Sequence, residues 1–192
     1  MASPGTILVF GDSLSAAFGI RPEQGWVALL AQRLKDQGYG YGVVNASVSG
    51  ETTAGGRERL PRALGLHRPQ VVILELGAND GLRGLPLDVA RDNLTAMVKL
   101  AQAAGARVLL VGILLPPNYG ERYTRQLAEL YPELAGRLHL PLVPFLLQNV
   151  ALDPALMQAD GVHPNAAAQP TILETVWSQL KSLLDHRPAR SS

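Results

Sequence analysis

The feature of this sequence that most constrains its fold is an alternation of short, β-branched apolar runs with longer runs at helical spacing. The clearest short run, residues 71–76, holds five apolar side chains and one glutamate, which is typical of a parallel strand buried on both faces. The longer runs place apolar residues on one face of a helix, as in Trp26, Leu30 and Leu34. Repeated strand–helix units predict an α/β fold, with right-handed crossovers between parallel strands and helices on both faces of the sheet.

Five such units fit into the chain. The predicted strands occupy residues 6–10, 41–46, 71–76, 107–114 and 141–145. The predicted helices occupy residues 24–37, 56–66, 121–138 and 165–184, with a further helix capped by Asp88 and ended by Gly105. Pro132 predicts a kink or a restart inside its helix. No linker divides the chain, so we expect one domain over residues 1–192, with its core at about 6–184 and a frayed tail at 185–192.

The composition excludes several kinds of functional site and partner. The chain has no cysteine, which excludes disulfides, zinc–thiolate sites, iron–sulfur clusters and a cysteine nucleophile. Its net charge is +1, from 17 Lys and Arg against 16 Asp and Glu, and the absence of a basic stripe argues against a nucleic-acid partner. No apolar run reaches the roughly 20 residues of a transmembrane segment, and the N-terminus lacks the regions of a signal peptide. The four histidines lack metal-ligand spacing, so we expect no metal and no other cofactor.

Polar residues and glycines follow several of the predicted strands. They occupy residues 11–15, 45–52 and 77–81, and a similar segment at 160–164 precedes the last helix. In open α/β sheets, ligands bind beyond the carboxyl ends of the strands. The sequence therefore predicts that these segments meet at one site.

The residues in these segments supply the groups that acyl transfer requires. Ser13 is the candidate nucleophile, His163 the candidate general base, and Asp160 the side chain that would orient the imidazole. The backbone N–H groups of Ser13 and Gly50 and the side-chain amide of Asn79 are the candidate donors to an oxyanion. Each residue alone has an ordinary explanation as a cap, a turn former or a loop glycine. The prediction depends on all of them falling where this fold places a site.

The same residues carry a family resemblance. Gly-Asp-Ser-Leu stands at 11–14, a glycine at 50, Gly-x-Asn-Asp at 77–80 and Asp-x-x-His-Pro at 160–164. A lone Gly-Asp-Ser-Leu is a weak signal, whereas the four blocks in this order are highly specific. The sequence thus resembles the SGNH (GDSL) hydrolase family.

Further segments, at 45–50, 75–84, 117–120 and 158–170, are similar to the bacterial thioesterase I, lysophospholipase and arylesterase branch of that family. The likeness extends over about residues 6–184. It implies a three-layer α/β/α sandwich with a five-stranded parallel sheet in flavodoxin-like order. It also implies that Ser13, Asp160 and His163 form a catalytic triad, with Ser13, Gly50 and Asn79 as the oxyanion hole.

The resemblance implies an enzyme, a serine hydrolase that acts on ester bonds through an acyl-enzyme. Carboxylic esters and acyl thioesters are the expected substrates, with aryl esters, acyl-CoA and lysophospholipids as examples. We expect a monomer. The resemblance also implies a periplasmic location with the leader absent from this chain, whereas the chain would be cytoplasmic if it is complete as given.

Two segments after the third and fourth strands are candidates for the acyl-chain site. Residues 81–86 combine apolar side chains with two glycines, as a mobile flap would, and residues 115–119 could form a facing wall. An ordinary surface loop remains an equally good interpretation of both. The candidate substrate-binding residues are Leu82, Leu85, Leu115, Pro116 and Tyr119.

Other functions remain open at this point. A carbohydrate O-acetylesterase on the same fold is disfavoured because aromatic residues make up only 5% of the chain. A non-catalytic acyl-binding module would carry the same residues without an activated serine. A signalling receiver module could use Asp12 and Asp80 as its acidic cluster, but no lysine follows the fifth strand. We therefore expect Asp12 and Asp80 to be hydrogen-bonding scaffolds.

Overall fold

A computed structural model describes residues 5–185, which form one parallel β-sheet between two layers of helices. The strands lie in the order β2–β1–β3–β4–β5, and every neighbouring pair is parallel. This arrangement confirms the predicted three-layer α/β/α fold. The strands are β1 (Gly5–Gly11), β2 (Tyr41–Asn45), β3 (Val71–Glu75), β4 (Arg107–Val111) and β5 (Leu142–Val143).

Within the described residues, six α-helices connect the strands and cover the sheet. The helices are α1 (Trp26–Asp36), α2 (Thr53–His67), α3 (Ala78–Leu82), α4 (Leu87–Ala103), α5 (Glu121–Leu138) and α6 (Gln169–Leu180). Short 3₁₀ turns occupy Pro22–Gln24, Pro117–Tyr119, Pro154–Leu156, Ala166–Ala168 and Lys181–Leu183. None of the helices in the described part of the chain is both long and apolar enough to cross a membrane.

Two apolar cores lie on the two faces of the sheet, because successive side chains of a strand point to opposite faces. In β1, Leu8 and Phe10 face the core formed with α2, α4 and α5. Ile7 and Val9 face the core formed with α1 and α6. Each of these side chains is fully buried, and burying a side chain of this size contributes about 1.5–3 kcal/mol. The two cores hold the carboxyl ends of the strands at one edge.

The fourth and fifth strands are shorter than the sequence predicts. Beyond Val111 the chain leaves the sheet at Gly112, whose N–H still donates to the Val143 carbonyl at 2.7 Å. A Cβ at Gly112 would lie 2.4 Å from the Pro144 carbonyl oxygen, so only glycine allows this close approach. The apolar residues that follow, such as Ile113, pack into a core instead of pairing as a strand.

Helix boundaries also differ from the prediction. Helix α2 begins at Thr53 and not at residue 56, with the Thr52 hydroxyl as an N-cap acceptor for Gly55. Helix α4 begins at Leu87, so Asp88 lies in the first turn and does not cap the helix. Helix α5 continues through Pro132 without a restart.

Both ends of the last predicted helix differ as well. The α-helix proper covers only Gln169–Leu180, with 3₁₀ turns at each end. Asp185, predicted to lie in a frayed tail, forms a paired hydrogen bond with Arg107, at 3.0 Å for both contacts. A side chain of β4 therefore ties this residue to the sheet. The rest of the predicted tail, residues 186–192, lies outside the described residues.

Candidate active site

The candidate nucleophile lies at the carboxyl edge of the sheet, in the turn that follows β1. The carbonyl of Asp12 accepts hydrogen bonds from the N–H groups of Ser15 (3.3 Å) and Ala16 (2.9 Å), so the chain folds into a tight turn that presents Ser13. Gly11 ends the strand, where a Cβ would lie 2.6 Å from Glu75 Oε2 and 2.9 Å from the Glu75 carbonyl oxygen. The glycine is thus required by close packing against β3.

Ser13, His163 and Asp160 form one hydrogen-bonded chain. Ser13 Oγ lies 2.9 Å from His163 Nε2, and His163 Nδ1 lies 2.7 Å from Asp160 Oδ2. With its proton on Nδ1, the imidazole donates a hydrogen bond to the carboxylate. This tautomer leaves Nε2 as an acceptor for the serine hydroxyl. The structure therefore joins three residues that the sequence predicted to act together, although Ser13 and His163 are 150 positions apart.

A tight turn around Gly161 holds Asp160 against His163. Asp160 Oδ1 accepts hydrogen bonds from the backbone N–H groups of Val162 (2.9 Å) and His163 (3.0 Å). These bonds and the imidazole contact lower the pKa of Asp160 to about 2, with the His163 N–H as the largest cause. Asp160 therefore stays ionised at neutral pH, and the imidazole keeps its orienting partner.

The three predicted oxyanion donors lie in adjacent segments. The N–H of Val48 donates to the Gly11 carbonyl at 3.0 Å, which holds the Gly50 loop beside the end of β1. Gly50 has φ +80°, a backbone conformation that favours glycine. Within residues 5–185, the N–H groups of Ser13 and Gly50 donate to no protein acceptor. Both groups are therefore available to bind a ligand.

Asn79 connects this loop to the nucleophile turn. It lies in α3, two residues after Gly77, whose φ of +120° and close approach to Tyr131 exclude a side chain at that position. Asn79 Nδ2 donates to the Glu51 carbonyl at 3.0 Å and to Asp12 Oδ2 at 3.2 Å. The amide therefore points to the space between the Gly50 loop and the Ser13 turn.

A pair of buried carboxyl groups lies beneath the nucleophile. Asp12 and Glu75 are 1% and 0% exposed, and Glu75 Oε2 accepts from the Ser15 hydroxyl at 2.7 Å and the Asp12 N–H at 3.4 Å. Burial raises the pKa of Asp12 to about 6. Burial, reinforced by the neighbouring charge of Asp12, raises the pKa of Glu75 well above its ordinary range. Within residues 5–185, no group of three or more acidic or histidine side chains has the arrangement of a metal site.

The predicted acyl-chain residues lie on neighbouring segments, with differing exposure. A Cβ on Gly81 would lie 2.8 Å from the Leu115 side chain, so Leu115 packs against α3. The carbonyl of Leu85 accepts from the Tyr123 hydroxyl at 2.7 Å, which fastens the segment after α3 to α5. Leu82 is half-buried, Pro116 is exposed, and Tyr119 is 39% exposed.

Sequence reasoning missed three side chains that contact the site. Phe18 stacks on the His163 ring, with 4.4 Å between ring centroids. Gln158 donates to backbone carbonyls on both sides of the site, and Glu75 supports the nucleophile turn from below. Glu75 had a signal, a lone carboxyl in an apolar strand. Phe18 had none, and Gln158 stood out only as the first residue of the family-like segment 158–170, because the role of both depends on contacts between distant loops.

Comparison with known proteins identifies the class. The family model of the GDSL-like lipase/acylhydrolase family matches residues 9–169. Esterase TesA of Pseudomonas aeruginosa is 53% identical over 183 residues, which cover 95% of this chain and 91% of that protein. Thioesterase 1/protease 1/lysophospholipase L1 of Escherichia coli is 42% identical over 185 residues, covering 96% and 88% of the two chains.

Solved structures agree with this comparison. The crystal structure of TesA superposes with a TM-score of 0.91 at 54% identity, covering 93% of this chain and 99% of that chain. Esterase EstA from Pseudoalteromonas sp. gives a TM-score of 0.89 at 42% identity, with coverage of 93% and 97%. The fold and the site thus define a hydrolase that acts on ester bonds. The chain belongs to the GDSL-like lipase/acylhydrolase family, which confirms the resemblance deduced from the sequence.

Proposed function

We propose that the chain hydrolyses esters and thioesters through an acyl-enzyme on Ser13, with His163 as general base and Asp160 as the group that orients it. The observation that carries this proposal is the hydrogen-bonded chain from Ser13 Oγ through the imidazole to the Asp160 carboxylate, at 2.9 and 2.7 Å. The first distance lies within the range in which a base can accept the proton of its nucleophile, and the second is a hydrogen bond between the imidazole and the carboxylate that orients it.

Acylation begins when Ser13 Oγ attacks the carbonyl carbon. The serine proton moves to His163 Nε2, and the ionised Asp160 stabilises the imidazolium that results. Negative charge develops on the carbonyl oxygen, which the N–H groups of Ser13 and Gly50 would bind. The Asn79 amide is the third donor, and the oxyanion would share or replace its longer bond, the 3.2 Å contact to Asp12.

Collapse of the tetrahedral intermediate breaks the bond to the leaving group. His163 donates its proton to the departing oxygen or sulfur, so an alcohol or a thiol leaves. A water molecule then enters, and the same imidazole removes its proton as the water attacks the acyl-enzyme. The carboxylic acid is released and Ser13 is regenerated, so the reaction needs no cofactor.

The acyl chain would lie along the segments after β3 and β4. Leu82, Leu85, Leu115, Pro116 and Tyr119 would provide apolar surface there, with Leu115 packed against α3. The names of similar proteins, which include an esterase, an arylesterase and a thioesterase/lysophospholipase, support aryl esters, acyl thioesters and lysophospholipids as the substrate classes.

The test is hydrolysis of p-nitrophenyl esters from C2 to C16 and of matched acyl-CoA thioesters. Ser13→Ala should abolish turnover, while Ser178→Ala, which removes an exposed hydroxyl on α6, should leave it unchanged. A fluorophosphonate probe should label wild type and Ser178→Ala but not Ser13→Ala. Folded wild-type protein that neither turns over nor labels would contradict the proposal and favour an acyl-binding module.

We further propose that the chain acts as a monomer in the periplasm. The whole triad and the candidate oxyanion donors come from one chain, so the site needs no second copy. The compartment rests on the family resemblance alone. Size-exclusion chromatography with light scattering tests the first point, and fractionation of the native host tests the second.

A further inference from the structure

The Phe18 ring packs against the ring of the candidate general base. The centroids of Phe18 and His163 are 4.4 Å apart and the planes are inclined by 35°, a separation at the short end of aromatic contacts. Phe18 nevertheless remains 48% exposed. One part of its apolar surface therefore covers the imidazole, while another part faces solvent beside it.

The backbone around Phe18 is held in a specific conformation. Ala17 has φ +58°, which is uncommon for a residue with a side chain, and Gly19 has φ +74°. The N–H of Phe18 donates to the Ser13 carbonyl at 3.3 Å. The nucleophile and the aromatic side chain are therefore parts of one local structure, and the strain at Ala17 is balanced by the contacts of this turn.

Gln158 fastens this turn to the loop that carries the base. Its Nε2 donates to the Phe18 carbonyl at 2.8 Å and to the Pro164 carbonyl at 2.9 Å. Its backbone N–H donates to the His163 carbonyl at 2.8 Å. A Cβ at Gly19 would lie 2.1 Å from Gln158 Oε1, so the two loops are closely packed. Phe18 thus has a fixed place beside His163.

The stereochemistry of acyl transfer decides which part of a substrate meets this surface. Of the four groups on the tetrahedral carbon, one is Ser13 Oγ and one is the oxyanion, which faces its donors. The leaving atom must come within hydrogen-bond reach of His163 Nε2 to receive its proton. The substituent on that atom therefore begins on the imidazole side, next to Phe18, whereas the acyl chain extends in the remaining direction.

We propose that Phe18 forms the leaving-group subsite and that it favours apolar, flat leaving groups such as aryl and arylalkyl alcohols or thiols. This inference rests on the proposed function and deepens it. An aromatic leaving group buries its face against the exposed part of the Phe18 ring, while a small alkyl leaving group does not reach it. Phe18 is then a specificity residue for acylation, with no role in the reaction of the acyl-enzyme with water.

Two esters of one acid, benzyl butyrate and ethyl butyrate, test the proposal, because they form the same butyryl-enzyme. Phe18→Ala should lower kcat/KM for the benzyl ester about tenfold more than for the ethyl ester, as loss of an apolar contact does. Phe18→Tyr should retain the preference and Phe18→Leu should retain part of it. Leu66→Ala, which removes an exposed side chain near the far end of α2, should leave both values unchanged.

The rate of deacylation separates a subsite from a group that only orients His163. With p-nitrophenyl butyrate, the burst reports acylation and the following steady state reports deacylation. The subsite predicts an unchanged deacylation rate in Phe18→Ala. Equal losses with both esters and in deacylation, or no loss with either ester, would overturn the proposal.

Two other outcomes also decide between the subsite and its alternatives. If Phe18→Ala does not fold, the ratio of benzyl to ethyl kcat/KM in Phe18→Leu and Phe18→Tyr decides the matter, since equal ratios in the two variants would refute the subsite. Failure of the proposed function has a different signature. In that case wild-type protein and Leu66→Ala would also lack hydrolysis that depends on Ser13.

Discussion

Asp80 accepts two hydrogen bonds from Thr53, one from the backbone N–H at 2.8 Å and one from the hydroxyl at 2.6 Å. Both residues are buried. The pair joins the first residue of α2 to α3, the short helix that carries Asn79. The candidate oxyanion donor is thus positioned by a contact between two helix starts. Asp80 thus makes the hydrogen bonds expected of a scaffold.

Asp80→Asn should destabilise the fold and reduce activity. The amide can replace only one of the two acceptor oxygens, so one buried donor of Thr53 loses its partner, which costs about 1–3 kcal/mol. The resulting shift of α3 should also lower kcat through Asn79. Urea unfolding and ester kinetics measure the two effects. Asp92→Asn, at an exposed position in α4, is the matched control and should change stability by less than about 0.5 kcal/mol.

Asn79→Ala tests the oxyanion assignment directly. Loss of one preorganised donor should lower kcat by about 10²–10³-fold with a small change in KM, because the donor acts mainly in the transition state. Asn118→Ala, at an exposed position in a 3₁₀ turn, should have no such effect. A loss below about tenfold, in a variant that unfolds like wild type, would remove Asn79 from the proposed mechanism.

The sequence predicted the layers of the fold better than the ends of its elements. The buried strand at 71–76 and the apolar faces of α1 and α6 follow from periodicity, which reports burial. Periodicity could not show that β4 stops at Val111, because Ile113 is as apolar as a strand residue and is buried against α-helices instead. It also missed α3, since five residues are too few to display a helical repeat.

The candidate site was predictable where chemistry depends on residue type. Ser13, Asp160 and His163 stand where an α/β sheet collects its functional residues, and the motifs around them are distinctive. The supporting contacts were not predictable in the same way. Phe18 lies against His163 in a turn that Gln158 links to a loop 140 residues later in the chain. No local sequence pattern predicts such a contact. The strand order was likewise expected from the family resemblance and not from the spacing of the predicted strands.

Asp160→Asn should lower kcat by roughly 10²–10⁴-fold, because the amide no longer holds the imidazole in the required tautomer. The substitution should also change acid stability. The pKa of Asp160 is lowered to about 2 by the N–H and imidazole of His163 and the N–H of Val162. Its stabilising contribution is therefore present above pH about 4 and lost as the pH falls toward 2.

Unfolding by urea at several pH values measures this effect. The difference in free energy of unfolding between wild type and Asp160→Asn should shrink as the pH falls from about 4 to 2. Ser178→Ala, which removes an exposed and uncharged hydroxyl on α6, should show no such convergence. A difference that is independent of pH would mean that Asp160 is not held by these bonds in solution.

Asp12→Asn should show the opposite dependence on pH. Burial raises the pKa of Asp12 to about 6, so the folded state favours the protonated carboxyl. The stability that Asp12 contributes is then present below pH about 4 and lost as the pH rises through 6. The asparagine side chain carries no charge at any pH. The free energy of unfolding of the variant should therefore rise relative to that of wild type, by an amount on the order of 2 kcal/mol, between pH 4 and 7.

Urea unfolding at the same pH values checks this result, with Ser178→Ala again as the control. Activity gives an independent readout, because Asp12 Oδ2 accepts from Asn79 at 3.2 Å and Oδ1 accepts from the Leu14 N–H at 3.0 Å. An amide can replace only one of these acceptors unless it turns a donor toward the other, so kcat should fall even where the variant is more stable. A variant that loses stability relative to wild type as the pH rises would show that Asp12 is ionised and well compensated in the folded protein, and the buried carboxyl pair would need another explanation.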